Sequence, residues 1–208
     1  MRDATRNHRV RHWEALSPGD MLPLLAGFPH PWWICGGHAI DAFLGRTTRE
    51  HGDLDVGVMR LHQAALYARL DAFEVHIAHA GELRELSPTE REVGTLDPDH
   101  HGVWCRRRGS RAWHFEVLLG DGDERDWVYR RCDEIRRPLN EVLWQGDDGL
   151  SYLAPEVQLL FKAKQPREKD ELDLRAVQPS LSNSQCAWLR DALAIAHPGH
   201  AWIGQLTP

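Results

Sequence analysis

Asp53 and Asp55 stand two residues apart, alternating with the apolar Leu54 and Val56, a short way after the pair Gly36-Gly37. In an extended segment alternate side chains share a face, so both carboxylates project together while Leu54 and Val56 turn inward. Two acids on one face repel each other unless a cation lies between them. Oxygen ligands at this spacing suit Mg²⁺, which is held by a few carboxylates plus substrate phosphates. Gly36 and Gly37 follow the apolar run Trp32–Cys35, where glycine N–H groups can close on a phosphate without Cβ interference. A phosphate cradle beside paired acids is the minimum apparatus for metal-assisted nucleotidyl transfer. Each part has a plainer explanation when taken singly: solvated acids at a strand end, and a tight strand–helix turn. Their joint occurrence in one short stretch is what carries information.

A third acid is offered by Trp113-His114-Phe115-Glu116-Val117-Leu118-Leu119. Phe115, Val117 and Leu119 share one face of this segment, leaving Glu116 to look into a cleft as a metal ligand, a general base or a partly exposed strand acid. Lys162, Lys164, Arg167 and Lys169 form a basic cluster followed by Asp170 and Asp173. Beside a phosphate cradle these cations would offset triphosphate charge; otherwise they are a solvated helix end. Thr48, Arg49 and His51 precede the aspartates. Arg49 is placed to clamp a phosphate or to pair with Glu50 or Asp53, and His51 to orient a phosphate. His100-His101, without acid or Cys partners at ligand spacing, reads as a solvated pair.

The elements that must position these residues follow from periodicity and breakers. A helix is expected over Trp13 to Phe28 through Leu16, Met21, Leu24 and Leu25, ended by Pro29 and Pro31. Strand Trp32–Cys35 leads through the glycines into a helix from His38 to Leu44, stopped by Gly45. Strand Asp53 to Met59, helix Gln63 to Leu70 and strand Phe73 to Ala78 come next. Residues Gly81 to His101, with two prolines, read mostly as loop. Val103–Arg106 and Ala112–Leu119 read as a hairpin. Beyond Gly120 the chain is first polar, then helical from Pro155, with further helices over Lys169–Val177 and Ser184–Ala196. The expected organisation is an α/β (α+β) catalytic domain over residues 1–119, a small mixed sheet flanked by helices. A mainly helical part over 120–208 completes the cleft.

Composition bounds the partners. The 208 residues, 42 % of them hydrophobic, suffice for one generous core or two small ones. A net charge of −6 argues against a general nucleic-acid binder. The mean hydropathy of −0.51 and the lack of a long apolar run exclude a membrane span, and the charged stretch Met1–Glu14 lacks a signal-peptide core. A cytoplasmic location is expected. Cys35, Cys105, Cys132 and Cys186 have no close pair and read as reduced, mostly buried thiols.

The run Gly36-Gly37-His38-Ala39-Ile40-Asp41, the run Gly45 to Val56 and the segment Phe115 to Leu119 resemble the polymerase-β-type nucleotidyltransferase superfamily. So do Asp123 to Arg131, Ala154 to Val157 and Lys162 to Leu174. More narrowly, they resemble its antibiotic-modifying branch typified by aminoglycoside 2″-adenylyltransferase. The resemblance spans roughly Trp32 to Val177. It implies that Asp53 and Asp55 carry Mg²⁺, two ions in all, with Glu116 as the third acidic position. It implies nucleotide-side roles for Gly36, Gly37, His38, Arg49, His51, Lys162, Lys169 and Asp170. Relatives often have Asp where Glu116 stands, and Glu reaches further.

The expected activity is Mg²⁺-dependent transfer of a nucleoside monophosphate, AMP from ATP, to a hydroxyl of a small molecule such as an aminoglycoside. Asp121, Asp123, Glu124 and Asp126 would recruit a polycation if they rim the cleft. The alternatives are a toxin-like enzyme that modifies a protein or an RNA end, with Arg106, Arg107, Arg108 and Arg111 as the basic track, and a non-catalytic nucleotide-binding module.

Overall fold

Four residues bounded by Pro31 and Gly36 form β1 (Trp32–Cys35), the centre from which this computed structural model is best followed. It describes residues 12–79, 82–94 and 96–206; residues 1–11 of the charged N-terminal stretch and Gly81 lie outside them. Ahead of β1 the expected long helix does not form. Glu14 and Leu16 donate backbone hydrogen bonds to Trp113 and His114, and only a 3₁₀ turn and the short α1 (Met21–Leu24) are helical. Pro18 has no N–H for an intrahelical bond, so a continuous helix across it would lose a rung.

After β1 come α2 (Gly36–Leu44), β2 (Asp55–Met59), α3 (Gln63–Tyr67) and β3 (Phe73–His79). The helix α2 begins at Gly36 rather than at His38 and is closed by Gly45 at φ +63°. The segment expected to be loop contains β4 (Glu82–Glu85) and α4 (Pro88–Val93). Ser87 and Glu90 cap α4 reciprocally, and Pro88 occupies its first turn, where no N–H is needed. The hairpin is present as β5 (Gly102–Arg107) and β6 (Phe115–Gly122).

Beyond residue 120 the chain makes the ribbon strands β7 (Asp126–Val128) and β8 (Arg136–Pro138), then α5 (Leu139–Val142), β9 (Leu143–Gln145) and β10 (Ser151–Leu153). Three helices follow: α6 (Pro155–Lys162), α7 (Glu168–Val177) and α8 (Asn183–Ala196). The mixed sheet runs β4-β3-β5-β6-β2-β1-β10-β9, so two strands from the C-terminal half extend it beside β1. No helix among the described residues is long and apolar enough to cross a membrane.

Strand alternation divides the interior in two. Ile34, Val56, Val58, Phe115, Val117 and Leu119 face one core, with Met21, Leu66 and Tyr67. Trp33, Cys35 and Met59 face the other, built with Leu159 and Leu160 of α6, Leu174 of α7 and Leu189 of α8. Asp55 and Glu116 alternate with the first set and therefore lie on the second face, at its open edge.

Candidate active site

The two central strands bring the acids together. β2 and β6 are parallel neighbours, and Asp55 is in register with Glu116. Paired residues on adjacent strands point the same way, so the two carboxylates converge although 61 residues of chain separate them. Asp53 lies just before β2, and Leu54 behind it is fully buried, with its carbonyl accepting from the Glu116 N–H at 2.8 Å. Asp53, Asp55 and Glu116 line one cleft with Gly36, Gly37, Arg49, Lys162, Lys169 and Asp170. Of the residues expected at the site, His38 and His51 do not line it.

Close approach explains both glycines. Gly36 has φ +70°, and a Cβ there would collide with the Asp55 carboxylate. A Cβ on Gly37 would collide with the His51 ring and with the Arg49 guanidinium 2.7 Å away. The Gly36 N–H is not free: it donates to Gln158 Oε1 of α6 at 2.7 Å. His51 Nε2 is 2.6 Å from Asp41 Oδ2, and Thr48 donates to Asp41 Oδ1 through its N–H (2.9 Å) and hydroxyl (2.5 Å). Asp41 thus ties the 45–52 loop to α2, with His51 as part of that anchor.

Lys162 is likewise committed. Its Nζ lies 3.1 Å from Asp170 and 2.8 Å from Asp173, and all three side chains are buried. Arg167 adds a second cation to Asp170 at 2.8 Å, and Arg49 stands 3.5 Å from Asp173. This network holds α7 against α6. Lys164, Arg167 and Lys169 line the cleft as well, and Arg131 enters it from beyond β7.

Burial gives the acids their character. Desolvation, reinforced by the neighbouring Asp55, pushes the Glu116 carboxyl up to about 8, partly offset by a hydrogen bond from Trp104. Desolvation and Asp53 push Asp55 up to about 6, against the opposing field of Lys162, Lys169 and Arg167. Three oxygen donors without a soft ligand fit Mg²⁺, and relief of their repulsion would favour a divalent cation. The three do not form a tight ligand group. Among the described residues, the trio whose donor atoms all lie within 4.8 Å of one another is Glu74, His76 and Glu85 on β3 and β4, where Arg106 holds Glu74 at 2.6 Å.

The acids proposed to rim the cleft lie elsewhere. Asp121 pairs with Arg60 at 2.7 Å, and Asp123 accepts from the backbone of Arg125 and Asp126 in the β6–β7 turn. Three of the four arginines of the basic track are occupied locally: Arg106 by Glu74, Arg107 over the Phe73 ring, Arg108 by the Asp71 carbonyl. Sequence reasoning missed Gln158 and Phe161. Both were accessible, since Gln158, Phe161 and Lys162 follow helical spacing and share a face of α6. Cys35, Cys105 and Cys186 are buried free thiols, and Cys132 is a half-buried one.

Residues 20–112 match the family model of aminoglycoside-2''-adenylyltransferase. Solved structures share the fold, three of them as follows. The lincomycin-bound crystal structure of the lincosamide antibiotic adenylyltransferase LnuA is 15 % identical, with a TM-score of 0.53 over 79 % of this chain and 97 % of that one. The solution structure of the antibiotic-resistance factor ANT(2'')-Ia is 18 % identical, with a TM-score of 0.52 over 83 % and 86 %. The crystal structure of ANT(2'')-Ia with adenylyl-2''-tobramycin is 18 % identical, with a TM-score of 0.50 over 83 % and 91 %. No curated relative matches the chain.

Proposed function

We propose that this chain, whose residues 20–112 match the aminoglycoside-2''-adenylyltransferase family model and whose fold is shared by antibiotic adenylyltransferases, carries out Mg²⁺-dependent transfer of AMP from ATP to a hydroxyl of a small molecule. The observation that carries this is the single cleft in which Asp53, Asp55 and Glu116 meet a ring of cations. Arg49, Arg131, Lys162, Lys164, Arg167 and Lys169 outnumber the four lining carboxylates, so the cleft suits a polyanion such as a triphosphate. Bound Mg²⁺ would supply Lewis-acid charge at the reacting phosphoryl group. Asp53 and Asp55 are the residues to hold it. Arg167 and Lys169, less committed than Lys162, are the residues to meet phosphate oxygens. Glu116, with its raised carboxyl, is tuned to accept the proton of an attacking hydroxyl near neutral pH.

The acceptor proposed is a polyhydroxylated antibiotic, an aminoglycoside being the class named by the family match. LnuA and ANT(2'')-Ia, which share the fold, are described with lincomycin and adenylyl-2''-tobramycin respectively. The test is a panel of nucleoside triphosphates and hydroxylated acceptors with Mg²⁺, read by mass. A gain of one nucleoside monophosphate on the acceptor, lost in Asp55→Asn, supports the reading. No mass gain with any pair, or full activity in Asp55→Asn, overturns it.

A further inference from the structure

A second cavity, about 140 Å³, opens off the reaction cleft on the same face of the sheet. Its floor continues the strands that carry the acids. Two residues beyond Asp55 is Gly57, and two and four beyond Glu116 are Leu118 and Gly120. A Cβ on Gly57 would collide with the Trp33 indole, and one on Gly120 would come within 3.4 Å of it, so the missing side chains let Trp33 lie flat across both strands. Trp127 and Phe161 close the other side, and Leu118 and Phe161 border both the cavity and the cleft. The walls are apolar except for Gln158, whose Oε1 already accepts from the Gly36 N–H, and two arginines. Arg131 is committed, donating to the Phe161 carbonyl at 2.9 Å and to the Tyr129 hydroxyl at 3.1 Å. Arg130 is not: its Nε is buried without a hydrogen-bond partner, and its guanidinium lies 5.7 Å from the Phe161 ring centroid.

We propose that this cavity seats an apolar arm of the acceptor, with Arg130 meeting an uncharged or anionic oxygen at the base of that arm. The inference rests on the transfer reading and narrows its acceptor, from the aminoglycoside class named by the family match to hydroxylated compounds that carry an uncharged apolar arm. Size supports it, since an apolar cavity of about 150 Å³ takes up a benzene-sized group. Charge supports it too. Two arginines beside aromatic walls repel ammonium groups, and an oxygen acceptor from the ligand removes the cost of the orphaned Nε. Continuity gives the direction: an arm anchored here holds the attached hydroxyls toward Glu116, one pleat repeat along β6 from Leu118.

The test compares phenyl β-glucoside with methyl β-glucoside, the same hydroxylated ring with and without an apolar arm, by calorimetry and NMR on the intact protein. The phenyl compound is expected to bind at least about tenfold tighter, from burial of its ring. Its ring protons should show contacts to the Leu118 methyls, and filling the cavity with Leu118→Trp should erase the preference. Equal affinities, no binding of either compound, absence of the Leu118 contacts, or a preference intact in folded Leu118→Trp each overturn the inference. The wild-type affinities and contacts decide the matter even if the variant does not fold. Transfer is scored separately by mass. Transfer without a phenyl preference removes the cavity inference alone, and a phenyl preference without transfer to any acceptor removes the transfer reading.

Discussion

Replacing Glu116 by Gln should make the protein without divalent ions more stable, and only at neutral to alkaline pH. Glu116 sits on β6 in register with Asp55, and its carboxyl is raised from an ordinary 4.5 to about 8 by desolvation first and Asp55 second. A raised carboxyl holds its proton in the folded state at pH values where the unfolded chain has already lost it. The penalty is therefore absent below about pH 4.5, grows as pH rises, and is complete above about pH 8. At about 1.4 kcal/mol per pH unit, the full shift sets an upper limit of about 5 kcal/mol, and relaxation of the site brings the expected gain to about 2–4 kcal/mol. For a chain of this length that is a rise in Tm of roughly 5–15 °C at pH 9. Gln keeps the shape of the protonated acid and can still accept from Trp104. The assay is thermal unfolding of wild type and Glu116→Gln with chelator, from pH 4 to 9. Curves that stay parallel across this range, or a variant less stable at pH 9, would refute the proposed environment of Glu116. The same variant should lose roughly 10²–10⁴-fold in turnover if Glu116 is the base.

Three further outcomes follow from the same geometry. Binding of Mg²⁺ at pH 7 should release about one proton, chiefly from Glu116, because a cation held by Asp53 and Asp55 favours ionisation of the carboxyl beside them; calorimetry in buffers of different ionisation enthalpy measures this, and an unchanged apparent enthalpy contradicts it. Gly36→Ala should cost about 1–3 kcal/mol from its positive φ alone. It should also disable Mg²⁺ binding by displacing Asp55, so a fully stable variant with normal Mg²⁺ affinity would contradict the packing. Lys162→Met should destabilise by about 3–5 kcal/mol, since it strips Asp170 and Asp173 of a buried cation; denaturant unfolding checks this, and an unchanged midpoint would make Lys162 a phosphate ligand rather than a strut.

The candidate site is legible where local pattern and tertiary structure demand the same residues. Alternation around Asp53 and Asp55 marks the core-facing Leu54 and Val56. Phe115, Val117 and Leu119 mark the buried face of β6 and so place Glu116 on the other. The glycine pair is visible because Gly36 needs a positive φ and a Cβ on either glycine would press on the Asp55, His51 or Arg49 side chains. Elsewhere local rules compete. Over 13–28 apolar periodicity favours a helix that Pro18 interrupts, and over 81–101 the prolines favour loop while Ser87 and Glu90 cap a helix, Ser-Pro-Thr-Glu being a helix start written in sequence.

What the sequence by itself determined is which residue types stand at which spacing: the paired aspartates, the third acid on an alternating strand, the glycines, and the basic helix ends. Tertiary structure alone decided their partners. That Lys162 serves Asp170 and Asp173, that His51 serves Asp41, and that the Gly36 N–H serves Gln158 depends on how α6 and α7 dock on the sheet, which no local pattern encodes. The pKa of Glu116 was equally invisible, because it arises from the dielectric and the neighbour created when β2 and β6 pair across 61 residues of chain. Spacing along a chain fixes which face a side chain occupies, whereas burial and charge are properties of what folds over that face.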